Sequence, residues 1–174
     1  TVAYSNGEYG ALKTWKFIKH LGSGTESDPY RISTGAQLAY LAKVINEEIG
    51  TYYDKYYELT NSINLNGLEW DPIGCYYFGS GDSDYSDNRT FRGRFNGNGY
   101  VVSNFKITTP KQSYYQYFGL FGYQYGGTIT DIGVEDFVID ITSDAPVSAG
   151  GLVGDCRGTI TNSYATGNVT ATSS

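Results

Sequence analysis

Two stretches of this chain copy one another, and that copying constrains the fold more than any other feature. Gly119-Leu120-Phe121-Gly122 returns as Gly151-Leu152-Val153-Gly154 after 32 residues, and Gly127-Thr128-Ile129-Thr130-Asp131 returns as Gly158-Thr159-Ile160-Thr161-Asn162 after 31. Val138 lines up with Val169, again 31 residues on, and Val102–Ile107 aligns more weakly with Ile129–Val134 at an offset of 27. A unit of about 30 residues made of short strands has no means of burying its own apolar face, so it must stack on its neighbours. Leucine-rich repeats would be shorter and richer in Leu, and helical repeats would carry a 3.6-residue period. Three short strands joined by turns use about 30 residues, and successive coils then stack about 4.8 Å apart as parallel strands. The expected fold is an all-β solenoid, a right-handed parallel β-helix. Its interior is expected to hold Leu120, Ile129, Ile132, Val134, Val138 and their copies.

One helix is expected at the start of the stack. Tyr30-Arg31-Ile32 reads as a short strand, and Thr34-Gly35-Ala36-Gln37 fits a capping box. Leu38, Leu41, Ala42, Ile45 and Ile49 follow at helical spacing, and Gly50 ends the pattern. A solenoid has open ends, and this helix, about residues 35–49, is placed to plug the first. From about residue 52 the period becomes two: Tyr57, Leu59, Ile63 and Leu65 alternate with Glu58, Thr60, Ser62 and Asn64. Residues 1–24 carry little pattern beyond Leu12, Trp15, Phe17, Ile18 and Leu21, and are expected to pack as a tail near the cap. The β-helix proper is expected over residues 25–174. It stops directly after a repeat, so further coils are expected to follow, as in a piece of a longer protein.

The polar surface is built from Tyr, Gly, Ser, Thr and Asn, with 18 tyrosines and 23 glycines, while charged residues make up only 17%. That composition suits an extracellular β-rich module. The net charge is −6 and basic residues do not cluster along the chain, which argues against nucleic acid and against an anionic membrane surface. No apolar run is long enough to span a bilayer. Cys75 and Cys156 are expected to be buried free thiols, because the repeat places them two to three coils apart, beyond the reach of a disulfide.

Gly150–Gly154 and Gly158–Gly167, read with the divergent copy Phe118–Val134, resemble the repeat of the GLUG-motif proteins of bacterial cell surfaces. Gly22–Thr25, Asp28–Ile32, Trp70–Gly74 and Phe95–Gly99 are similar to segments that precede and open such repeats, so the resemblance covers about residues 22–172. It implies a cell-surface location and an adhesive or passive module, since these repeats occur in large adhesins and beside the peptidase domain of some immunoglobulin A1 peptidases. It carries over no catalytic residue.

Catalytic signatures are otherwise sparse. Glycoside hydrolysis would need two carboxylates about 5–9.5 Å apart across a cleft. The candidates Asp131, Asp136, Asp140 and Asp144 read better as turn-capping groups, since Asn162 replaces Asp131 in the next copy. His20 has no Ser or Cys partner, and one His with two distant Cys makes no zinc site. Asp82, Asp84 and Asp87 could offer oxygens to Ca²⁺ but depart from an EF-hand loop, so no cofactor is expected. The remaining feature is aromatic. Tyr76 and Tyr77 lie in one insertion, and Tyr114, Tyr115 and Tyr117 in another, with Phe78, Tyr85, Tyr123 and Tyr125 nearby. Tyrosine combines flat apolar area with a hydroxyl, which suits sugar or protein recognition. The expectation is a non-catalytic surface module that binds a host or glycan ligand through Tyr76, Tyr77, Tyr114, Tyr115 and Tyr117. The alternatives are a carbohydrate-active β-helix enzyme or a spacer for another domain.

Overall fold

The computed structural model describes residues 21–47, 51–75, 89–108, 117–144 and 146–173. Within them lie one helix, α1 (Gly35–Glu47), and eleven strands. The strands are β1 (Tyr30–Ile32), β2 (Tyr56–Leu59), β3 (Ile63–Glu69), β4 (Arg94–Asn96), β5 (Val101–Ile107), β6 (Tyr117–Phe118), β7 (Phe121–Thr130), β8 (Gly133–Ser143), β9 (Ser148–Ala149), β10 (Val153–Thr161) and β11 (Tyr164–Ser173). They form a five-stranded sheet β1-β2-β4-β7-β10, a four-stranded sheet β3-β5-β8-β11 and a two-stranded sheet β6-β9. Every strand pairing in these sheets is parallel. The chain visits the sheets in turn, β7 to β8 to β9 to β10 to β11, so each pass adds one rung to each sheet.

The capping box forms as the residue types require. The Gln37 amide N–H donates to Thr34 Oγ1 (3.3 Å), and Gln37 Oε1 accepts from the Thr34 and Ser33 amides (3.1 and 2.7 Å). Leu38, Leu41, Ala42 and Ile45 of α1 are all buried in the common core. The α1 side chain of Asn46 then ties the helix to the sheets: it donates to the Pro72 carbonyl (2.9 Å) and accepts from the Gly74 amide (3.0 Å). Residues 48–50, including the expected stop at Gly50, lie outside the described residues, as does the tail up to His20.

Ladders of like side chains run through the sheets. Tyr30, Tyr57, Phe95, Ile129 and Ile160 are successive register partners in the five-stranded sheet. Inside, Phe91 and Phe95 meet Phe121 at ring separations of 5.0 and 5.3 Å, and Phe105 stacks on Phe137 at 5.6 Å. Leu120, Ile129, Ile132 and Val134 are buried as expected.

Three expectations are corrected. Val102 pairs with Val134 and Ile107 with Ile139, an offset of 32 rather than 27. Val138 is not interior: it is 41% exposed, and Phe137, Ile139 and Ile141 point inward instead. Its register partner is Asn168, and Val169 pairs with Ile139, because a bulge between Thr166 and Gly167 shifts the ladder by one residue. Neither cysteine is in a disulfide, but Cys156 is exposed while Cys75 is buried. The Cys156 thiol lies in the last layer and donates to Gln124 Oε1 (3.2 Å).

The repeated glycines answer to close approach. A Cβ on Gly154 would lie 2.6 Å from the Phe118 nitrogen and 2.8 Å from the Gly122 oxygen, so backbones pack there without side chains between them. Gly151 and Gly167 leave room for the Phe137 ring rising from the layer below, where a Cβ on Gly167 would sit 2.7 Å from the ring.

Candidate functional site

The outer face of the five-stranded sheet gathers aromatic and guanidinium groups from four strands and their approaches. On β7, Phe121 lies in the core and Tyr123 is buried at 4% exposure, while Tyr125 opens to solvent. Tyr117 of β6 stacks on Tyr123 at 5.2 Å, and Tyr125 follows at 6.2 Å. Arg157 of β10 lies over Tyr123 at 5.4 Å from the ring centre. Arg92, just before β4, lies between two rings, 5.0 Å from Tyr125 and 5.5 Å from Tyr53. Arg94 of β4 covers Tyr56 of β2 at 5.0 Å. Each contact is a cation–π arrangement, in which the ring face attracts the guanidinium.

The polar groups around these rings are anchored. Arg92 Nε donates to Thr90 Oγ1 (3.0 Å), and Arg157 pairs with Asp155 (3.6 Å). Burial raises the Tyr123 phenol above its ordinary pKa, and the neighbouring Tyr123 and Asp155 raise that of Arg157. At neutral pH the Tyr123 phenol is therefore neutral and Arg157 charged. Tyr125, 48% exposed, presents its ring to solvent. Such a surface offers flat apolar area, hydroxyls and planar cationic donors, a combination that recognises anionic or hydroxyl-rich ligands.

Of the five tyrosines nominated from sequence, Tyr117 borders this face from the two-stranded sheet, stacked on Tyr123. Tyr76, Tyr77, Tyr114 and Tyr115 lie outside the described residues, as do Phe78, Tyr85 and the Asp82, Asp84 and Asp87 loop. Arg92, Arg94, Arg157, Tyr53 and Tyr56 were not foreseen. Basic residues scattered along the chain are gathered here, because parallel stacking sets residues thirty-odd positions apart side by side. The available signal was the repeat itself: once Cys156 is set against Gln124, Arg157 falls against Tyr125.

The corner between the two large sheets holds Asp131 in a turn role, whereas Asp140, expected as a turn-capping group, lies mid-strand in β8 paired with Thr170. Asp131 and Asn162 both adopt the left-handed conformation (φ 54° and 49°), which Asp and Asn tolerate best among residues with side chains. The Asn162 amide donates to Asp131 Oδ1 (3.2 Å), and Thr130 Oγ1 donates to Asp131 Oδ2 (2.7 Å). Asp136 is likewise left-handed (φ 53°) at the β8 bulge. Alongside runs an open groove of about 340 Å³, lined by Asn96, Asn98, Asp131, Asn162 and Tyr164 among others. The Tyr164 hydroxyl donates to Glu135 (2.5 Å), which raises its pKa. Among the described residues no group of three or more His, Cys, Asp or Glu comes together as a metal site. Nor is any described helix long and apolar enough to cross a membrane.

Residues 145–170 match the family model of the GLUG motif. The chain is similar to a protein described as a Gly-rich membrane protein of Evansella cellulosilytica, at 30% identity over 142 residues, which is 81% of this chain and 15% of that protein. It is also similar to the halomucin of Haloquadratum walsbyi, at 29% identity over 157 residues, 86% of this chain and 2% of the relative. The chain thus spans a small fraction of the length of either relative. No solved structure matches it. The chain thus carries a GLUG motif within residues 145–170, consistent with a cell-surface repeat protein.

Proposed function

We propose that this chain is a non-catalytic module of an extracellular or cell-surface protein, wound as a right-handed parallel β-helix, that adheres to an anionic glycan through the outer face of its five-stranded sheet. Three features support the winding: wholly parallel pairing, the recurrent visit to each sheet, and the strong right-handed preference of parallel crossovers. The GLUG motif and the surface-protein relatives support the location. The observation that carries the binding reading is the row Tyr117, Tyr123, Tyr125 with Arg92 and Arg157 laid against it. Three of the five arginines of a chain with net charge −6 stand on this face as Arg92, Arg94 and Arg157. An anionic ligand would find its counter-charge there, and salt would weaken the complex.

A screen of neutral, carboxylated and sulfated glycans and of host matrix proteins tests this. The expected result is binding to an anionic glycan that falls about tenfold or more in a Tyr125→Ala/Arg157→Ala double variant with unchanged melting. Alanine at Tyr76, Tyr77, Tyr114 and Tyr115 tests whether the insertions take part. No binding to any ligand supports a spacer role. Release of reducing ends or unsaturated products from polysaccharides would instead support an enzyme.

A further inference from the structure

Rings and guanidinium groups alternate along the axis of the stack. Phe91 pairs with Gln124, and Gln124 with Cys156, so the residues that follow them, Arg92, Tyr125 and Arg157, stand side by side on three successive layers. Tyr53 extends the column beneath, where its carbonyl accepts from the Arg92 amide (2.7 Å). The order is therefore ring, cation, ring, cation. A shorter column of the same kind, Tyr56 under Arg94, runs beside it. Gln124 is fully buried, so alternation turns the next side chains away from the core: Tyr125 is 48% exposed and the Arg157 side chain 55%. These groups face sideways from the stack, and a layer above them would lengthen the column without covering it. Its charge is only partly met within the chain. Arg157 pairs with Asp155, whereas among the described residues no carboxylate pairs with Arg92 or Arg94.

Arg92 and Arg157 are two rungs apart, about 9.6 Å along the stack, which is about the length of one disaccharide in an extended polysaccharide. Resting on the anionic-glycan reading above, we infer that this column binds a linear polysaccharide with one carboxylate per disaccharide, laid along the stack and across the strands. One carboxylate reaches Arg92 and the next reaches Arg157, while the neutral sugar between them lays its apolar face on Tyr125. Guanidinium groups held against ring faces keep edge N–H groups for a carboxylate fork. A polymer with an acid on every sugar would bring its middle carboxylate against the electron-rich face of Tyr125, where repulsion replaces stacking.

The chain is titrated with hyaluronan oligosaccharides, which carry one carboxylate per disaccharide, and with oligogalacturonates of equal length, which carry one per sugar. Hyaluronan is expected to bind about tenfold or more tightly than oligogalacturonate. Lengthening it from a disaccharide to a tetrasaccharide is expected to strengthen binding about tenfold. In Arg157→Gln that gain with length disappears while melting stays unchanged, and in Arg31→Gln, whose guanidinium is already paired with Asp28 and Glu58 off the column, it is kept. A gain with length that survives Arg157→Gln overturns the inference. So does equal or tighter binding of oligogalacturonate; if that binding falls in the Tyr125→Ala/Arg157→Ala variant, the anionic-glycan reading stands and only the spacing and direction fail. Absence of binding to every anionic glycan, sulfated ones included, overturns both.

Discussion

At the end of the stack where β3 lies, α1 lays Leu38, Leu41, Ala42 and Ile45 against the core, each no more than 2% exposed. At the other end, Ile160, Tyr164 and Val169 stand open on strands of the same pattern. The chemistry of the side chains is similar at both ends, and only the covering layer differs. An apolar ladder position therefore has no fixed stabilising value. It contributes what the layer above it removes from water, about 25 cal/mol per Å² of apolar surface.

The sharpest way to test that contrast begins in the middle of the stack. Phe95→Ala removes a fully buried ring that meets Phe121 edge-on, and is expected to cost about 3–5 kcal/mol in urea unfolding. Next comes the ladder pair itself. Ile129→Ala is expected to cost about 2–5 kcal/mol, and Ile160→Ala no more than about 1 kcal/mol. Equal costs at the two positions would break the comparison.

A smaller effect should appear at the covered end at high pH. Burial holds the Tyr57 phenol well above the ordinary tyrosine pKa, and its hydroxyl donates to the Tyr52 carbonyl (2.5 Å). The folded state thus keeps a proton that the unfolded state releases from about pH 10. This contribution is complete below the unfolded pKa and is lost as pH rises toward the folded one. Tyr57→Phe is expected to flatten the alkaline loss of stability, at the expense of about 1 kcal/mol for the hydrogen bond at neutral pH. The smallest change is Thr34→Ala, which removes the cap of α1 and is expected to cost about 1 kcal/mol, read as a lowered urea midpoint.

Much of the fold was legible from particular residues. Thr34 and Gln37 announced the start of α1 because few residue types satisfy helix N-terminal amides. The exchange of Asp131 for Asn162 announced a turn for a similar reason, and the structure shows both residues left-handed there. The interior places of Leu120, Ile129, Ile132 and Val134 followed from alternation. Val138 was misplaced because alternation assumes an unbroken ladder, and the extra residue Asp136 in β8, opposite the Thr166–Gly167 step, leaves no mark in spacing. The binding face was only partly visible. Tyr117 was found by its aromatic neighbours in sequence, whereas Arg92 and Arg157 stand outside the tyrosine-rich insertions and meet the tyrosines only through stacking.

What the amino-acid sequence determined by itself was local or periodic: the thirty-odd-residue copy, the capping box, the turn-forming Asx residues and the need for neighbours to bury each apolar face. What only the tertiary structure decided was register, and with it the alignment of β5 on β8, the outward turn of Val138 and the gathering of three arginines on one face. The physical reason is that parallel strands are held by backbone hydrogen bonds available at every residue. Bulges and the volumes of side chains such as Phe137, fitted against Gly151 and Gly167, choose among the registers those bonds would allow.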